Sequence, residues 1–187
     1  MLSVFFFTFI ALQNLINIFF FAMTTTDVPF AGLKDGVYIH SDSGVLYTLF
    51  EWLKRRDKLT ASSVVLVTDS GMLEIAKEDL PAFSFEDAQK AAAEYGANFR
   101  CTTRREALEL YDARFRGLDV VLVAIGGKPV VSTYWTSEVD LEPSSFRSFV
   151  YNGISGDILG FYNDMSFAVR PVRSFRRVIW SHPDSCR

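Results

Sequence analysis

Two helix-start signals in the middle of the chain, with β-patterned sequence on both sides, limit the possible folds more than any other feature. Ser84 is followed three residues on by Asp87, and Thr103 by Glu106, the arrangement of an N-cap and its capping box. After Ser84, the residues Phe85, Ala88, Ala91, Ala92 and Tyr95 fall on one helical face, and Gly96 supplies the stop at C′. After Thr103, the residues Ala107, Leu108, Tyr111 and Phe115 form the expected buried stripe of a second helix. Asn98 to Cys101 leaves room only for an extended link between the two.

Upstream, Val37-Tyr38-Ile39 and Val45-Leu46-Tyr47 flank the turn residues Asp42-Ser43-Gly44 and read as a hairpin. Phe50 to Lys58 is amphipathic and predicts one or two helical turns. Val64-Val65-Leu66-Val67 has the β-branched character of a buried strand, and Met72 to Ala76 follows the Asp69-Ser70-Gly71 turn as its hairpin partner. Downstream, Leu118 to Ile125 is apolar enough for a strand, although its pattern does not decide its type, and Gly126-Gly127 ends it. Strands are then expected near Val131–Trp135, Phe146–Tyr151, Ile158–Tyr162 and Phe167–Val172, with Gly153, Gly156 and Asn163-Asp164 at the turns. Strands, two helices and a strand meander make an α+β arrangement with no βαβ alternation.

The folded domain is expected over 36–175, after a linker over 27–35 that carries Pro29 and Gly32, and before a tail over 176–187. The first 26 residues carry no charge. Within them, 1–23 is long enough to cross a bilayer core as a helix, but lacks the flanking Lys or Arg of a signal peptide or an oriented span. This leader reads either as a signal or anchor, or as an upstream extension with Met23 the true start. A membrane association follows only if 1–23 is a genuine anchor, and a cytoplasmic protein follows if translation starts at Met23 without export.

Hydrophobic residues at 49% and charged residues at 22% exclude disorder, and a net charge of -3 excludes the basic surface of a nucleic-acid binder. Two cysteines, Cys101 and Cys186, are too few for a disulfide framework or a zinc knuckle, and Cys101 is expected to pack as a small hydrophobe. His40 lies beside Ser41 and Asp42, and Ser70 sits in an Asp-Ser-Gly turn, so a hydrolase using His40 and Ser70 is one reading. Turn chemistry accounts for the same residues. His182 and Cys186 lack a second metal-ligand pair, and Asn163-Asp164 reads as a turn before it reads as a calcium site. Arg170, Arg173, Arg176 and Arg177 are expected to lay their stems over aromatic rings or pair with carboxylates. No metal, cofactor or catalytic residue is assigned.

Three segments carry a family resemblance. Phe99-Arg100-Cys101-Thr102-Thr103-Arg104-Arg105-Glu106-Ala107-Leu108 resembles a Trp-Arg-Leu-Pro-Thr motif leading into a Glu-Leu helix. Tyr134-Trp135-Thr136-Ser137-Glu138 resembles a Tyr-Trp-Ser-Ser-Thr-Glu motif that is one residue longer. Val169-Arg170-Pro171-Val172-Arg173-Ser174-Phe175 is similar to a Val-Arg-Pro-Val-Arg-Ala-Phe ending. Together these resemble the Fibrobacter succinogenes major paralogous domain family, which has gut Bacteroidales and phage members and includes the C-terminal domain of a Legionella collagen-like adhesin. Gly36-Val37-Tyr38-Ile39, Gly44-Val45-Leu46-Tyr47 and Ile75-Ala76-Lys77-Glu78-Asp79-Leu80 extend the similarity upstream.

The resemblance implies a C-type-lectin-like fold, with two helices packed on short antiparallel sheets and hairpins. It implies framework roles for Arg100, Tyr134, Trp135, Arg170, Pro171 and Arg173. It also places the variable, ligand-presenting surface between Val139 and Ala168, where Arg147, Tyr151, Asn152, Asp157, Tyr162, Asn163 and Asp164 are the outward candidates. Tyr and Asn suit such a surface because they give contact area and adaptable hydrogen bonds at low entropic cost. The expected function is non-enzymatic binding of a glycan or protein ligand, displayed on a cell surface or phage particle, with homo-oligomerisation allowed for. The alternative is a structural or decoration protein of a virion or surface assembly. The related sulfatase-modifying activity would need a reactive cysteine pair, which the distant Cys101 and Cys186 do not offer.

Overall fold

Two five-stranded sheets share a central layer of apolar side chains, and four α-helices close around them among the described residues. The structure is a computed structural model that describes residues 33–69, 71–140 and 146–175. The apolar leader, most of the linker, Ser70, Arg176, Arg177, His182, Cys186 and the rest of the 176–187 tail lie outside the described residues. Part of the Val139–Ala168 interval, 141–145, does so too.

The first sheet has the order β10-β4-β3-β1-β2. Its strands are β1 Gly36–Ser41, β2 Leu46–Tyr47, β3 Ala61–Thr68, β4 Gly71–Ala76 and β10 Val172–Phe175. The expected hairpins form: Ile39 pairs with Tyr47, and Val65 with Glu74, in antiparallel register. Alternation sends Ile39, Val64, Leu66, Leu73, Ile75 and Val172 into the central core. The short helix α1 (Leu49–Leu53) is capped by Thr48 with Glu51, and a 3₁₀ turn follows at Arg56–Lys58.

The second sheet has the order β5-β9-β6-β7-β8. It comprises β5 Leu80–Phe83, β6 Thr133–Val139, β7 Arg147–Asn152, β8 Ile158–Tyr162 and β9 Phe167–Val169. Helix α2 (Phe85–Tyr95) covers one face through Phe85, Ala88 and Ala92, which meet Trp135, Val150 and Val169. The opposite face sends Tyr134 and Tyr151 into the central core with helices α3 (Arg104–Phe115) and α4 (Leu118–Ala124). This sheet is therefore covered on both sides along β6.

Several expectations need correction. Leu118–Ala124 is a helix, and Gly126 ends it in a Schellman motif: its φ is 78°, its N–H donates to Val123 O, and Gly127 N–H donates to Leu122 O. The apolar run fits a helix because Leu118, Val121 and Leu122 are buried while Val120 and Val123 face outward. The buried stripe of α3 is Ala107, Leu110 and Ala113, whereas Leu108 is half exposed and Phe115 is 78% exposed. The buried positions 107, 110 and 113 follow an i, i+3, i+6 line, which leaves positions 108 and 115 on the outer side. Ser84 stands at the N-cap of α2 but makes no cap bond; its hydroxyl donates to Asp87 Oδ2 at 2.9 Å. Gly96 is extended, and the left-handed residue is Asn98. The expected strand over Phe167–Val172 is two strands, one in each sheet, that change sheets at Arg170-Pro171.

Candidate functional site

The three motif segments converge on that change of sheets. Arg100 bridges Val172, and Thr102 bridges Thr136, so the link between α2 and α3 spans from β10 to β6. Arg170 is 1% exposed. Its Nε donates to Asp79 Oδ1 at 2.7 Å, and Nη1 and Nη2 donate to the carbonyls of Ala76, Lys77, Lys128 and Pro129 at 2.9–3.2 Å. Five acceptors for five N–H groups leave the guanidinium fully satisfied in a buried site. Burial pushes the Asp79 carboxyl above its usual range, with Arg170 and the Tyr134 hydroxyl pulling the other way. Pro171 O accepts from Ala76 N–H, which ties the corner to β4.

Arg100 makes a two-pronged bond to Glu106 at 2.7 and 2.6 Å, while Glu106 also accepts from the N-cap Thr103 N–H. Burial raises the Glu106 carboxyl, but the bonds from Arg100, Thr103 and Ser174 outweigh it and hold the group down at about 2. Trp135 Nε1 donates to Phe83 O at 2.8 Å, and its ring meets Phe85 and Phe167 edge-on. Cys101 is fully buried, as expected of a small hydrophobe, and burial raises its thiol to about 12.

The outward candidates divide. Tyr151 is 1% exposed and stacks on Tyr134, so it belongs to the core. Arg147, Phe149 and Tyr151 share one face of β7, and α3 lies over it so that Tyr151 is buried and Phe149 half-buried while Arg147 stays exposed. Asn152 is half-buried, and its Oδ1 accepts from Ile154 and Ser155 N–H, closing the turn. Asn163 holds β7 and α2 through its backbone: its N–H donates to Phe146 O and its carbonyl accepts from Phe85 N–H. Asp157 and Asp164 are exposed in turns, Asp157 with Ser155 as its partner.

Arg147 and Tyr162 do come together. They pair across β7 and β8, with the guanidinium 4.8 Å from the ring centre and Nη2 donating to the hydroxyl at 3.3 Å. Phe149 lies on the same face opposite Gly160, and the Arg104 guanidinium sits 4.4 Å over its ring. Phe146, 81% exposed, adjoins the pair. Since Gly160 adds no side chain, the face is a shallow platform of two rings and two guanidinium groups.

A second arrangement lies on the first sheet. His40 on β1 is in register with Ser63 on β3, and Glu74 on β4 lies diagonally across from it. His40 Nδ1 donates to Glu74 Oε1 at 2.9 Å, Ser63 Oγ donates to the same oxygen at 2.5 Å, and Arg173 Nε donates to Oε2 at 2.5 Å. Burial raises the Glu74 carboxyl, but these three bonds outweigh it and hold the group near 2. These groups line a cleft of about 410 Å³ with Ser41, Asp42, Tyr95 and Phe99. The hydrolase reading does not find triad geometry among these groups, because Ser63 and Glu74 approach the same ring nitrogen and Ser63 is buried. Its other named residue, Ser70, lies outside the described residues. Sequence reading separated these residues among turns and faces. Their common signal was the polar set His40, Ser63 and Glu74 recurring at one parity in three otherwise apolar strands.

Among the described residues no three His, Cys, Asp or Glu side chains are grouped to hold a metal, and no helix is long and apolar enough to cross a membrane. No family model matches the chain, and no curated protein matches it. Solved structures that match include a chain from a complex of a mutant von Willebrand factor A1 domain with botrocetin, at 7% identity, covering 60% of this chain and 95% of that chain, with a TM-score of 0.34. The fold class stands as mixed α+β with two largely antiparallel sheets.

Proposed function

We propose that this domain is a non-enzymatic recognition module of C-type-lectin-like type, displayed on a cell surface or phage particle, that binds a glycan or protein through the outer face of β7 and β8. The observation that carries the reading is the platform of Arg147, Tyr162, Phe149 and Arg104, with Phe146 beside it. Rings topped by guanidinium groups offer flat apolar area together with fixed donors, the combination that dominates recognition surfaces. The pairings Arg100–Val172 and Thr102–Thr136 support framework roles for the motif residues beneath it. The test is binding of the purified chain to a glycan array and to host cells, with wild type compared to an Arg147→Ala/Tyr162→Ala double variant. Binding that survives this pair unchanged overturns the assignment of the surface, and an absence of hits on either panel counts against the function.

A second reading, a decoration or assembly protein, is favoured by the exposed apolar residues Phe50 and Leu53 on α1 and Val120 and Val123 on the adjoining α4. Copy number in purified particles separates the two: a stoichiometric shell points to assembly, a few copies to recognition.

A further inference from the structure

We infer that the cleft on the first sheet, bounded by His40, Asp42, Glu74, Tyr95, Phe99 and Arg173, is a separate binding site for a neutral, hydroxyl-rich ring, the chemistry of a single saccharide unit. The floor is preorganised. Glu74 accepts from His40, Ser63 and Arg173 at once, and so fixes the imidazole and the guanidinium before any ligand arrives. The bond to Glu74 orients the ring through Nδ1, and Nε2 makes no bond among the described residues.

One wall is aromatic. Tyr95 and Phe99 meet edge-on at 4.9 Å, and the Arg173 guanidinium lies 5.0 Å from the centre of the Phe99 ring. Asp42 stands at the rim. The side chains of Thr60 and Ser62 bond its carboxylate, which holds its pKa below the usual range. The cleft therefore presents acceptor oxygens at Asp42, the free ring edge of His40 and a donor-acceptor hydroxyl at Tyr95 beside an apolar ring surface. Vicinal hydroxyls on a ring with one apolar face need this mixture.

Charge and size select the same class. The Arg173 charge is matched by Glu74 inside the cleft, and the anionic Asp42 at the rim feels the charge of Lys77 nearby. An anionic ligand such as phosphate or a carboxylate would meet the like charge of the Asp42 and Glu74 carboxylates there. About 410 Å³ is at the small end of ligand sites and suits one ring, or one ring and part of a second. The site is on the opposite sheet from the β7–β8 platform, so neither assignment depends on the other.

The test is NMR titration of the full chain, labelled at histidine, tyrosine and phenylalanine, with D-galactose, D-mannose, L-fucose and N-acetyl-D-glucosamine, and with inorganic phosphate as the charged comparison. The expected result is a saturable shift of the His40, Tyr95 and Phe99 signals with at least one sugar. Asp42→Asn and Tyr95→Ala, both at exposed positions, are expected to weaken it about tenfold or more. Arg147→Ala/Tyr162→Ala is expected to leave it unchanged. The proposal is overturned if no sugar moves these signals, if the shifts persist at full strength in both cleft variants, or if phosphate alone moves them.

Discussion

Arg170 Nε lies 2.7 Å from Asp79 Oδ1, across 91 residues of sequence, and this pair marks the point where the chain leaves one sheet for the other. The four carbonyls around the same guanidinium come from the end of β4 with the residue after it, Ala76 and Lys77, and from the segment after α4. One side chain thus ties a strand change to two distant loops. Replacing Arg170 with Met strips Asp79 of its cation and takes a donor from all four carbonyls, of which Lys77 O and Pro129 O keep backbone bonds from Lys128 and Val131, and is expected to cost about 3–5 kcal/mol. Lys supplies three donors in place of a planar fork of five and should recover only part of that. Urea unfolding of both variants measures it, and a loss below about 1 kcal/mol for Met would refute the role.

Acid should unfold the domain through Glu74 and Glu106. Both carboxyls are held near 2 in the folded chain against an ordinary value of 4.5. A depressed folded-state pKa gives stability that is fully present above 4.5 and is lost as pH falls from there through about 2. Stability measured in steps across that window should decline on acidification, and Glu106→Gln should flatten the decline while lowering stability at neutral pH. An acid slope identical to wild type in that variant would contradict the assignment.

Tyr151 makes a contrasting prediction. Its hydroxyl is buried and makes no hydrogen bond among the described residues. Tyr151→Phe removes an unsatisfied group and keeps the stack on Tyr134, so stability should hold or rise by about 1 kcal/mol. Thermal denaturation reads this directly; a marked loss would mean that the hydroxyl has a partner in solution.

Gly127 and Gly153 sit where other backbone passes too close for a side chain. A Cβ on Gly127 would stand 2.5 Å from Lys77 O, and one on Gly153 2.4 Å from Val130 O. Each Gly→Ala change is expected to cost roughly 1–3 kcal/mol through overpacking. Gly44, with φ of +81° and nothing nearby, should lose only the smaller backbone term, about 1 kcal/mol. Costs at Gly127 and Gly153 no larger than at Gly44 would show that close approach does not govern them.

Two helix caps that look alike in sequence should behave differently. Thr103 accepts from Glu106 N–H while Glu106 returns the bond, so Thr103→Ala should cost about 1 kcal/mol. Ser84 makes no cap bond, so Ser84→Ala should cost a few tenths at most. Parallel melts of the two variants settle the contrast.

Local pattern determined the elements whose signals are local. The β1–β2 and β3–β4 hairpins follow from turn residues set between apolar runs, and Ile158–Tyr162 is a strand with the bounds its sequence suggests. The starts of α2 and α3 follow from Ser84 and Thr103. Helix type for Leu118–Ala124 was not legible, because a short apolar run fits a buried strand as well as a helix until something packs against it.

Tertiary structure decided the rest. Alternation along β7 puts Arg147, Phe149 and Tyr151 on one face, and only the position of α3 buries Tyr151 while leaving Arg147 with Tyr162 outside. The cleft was out of reach of sequence reading for the same reason. His40, Ser63, Glu74 and Arg173 come from four strands, and no local rule joins β10 to β4. Sequence fixes which residues alternate and where helices begin, since those depend on neighbours a few positions away. Which faces become core, surface or cleft depends on long-range packing, which exists only once the sheets have formed.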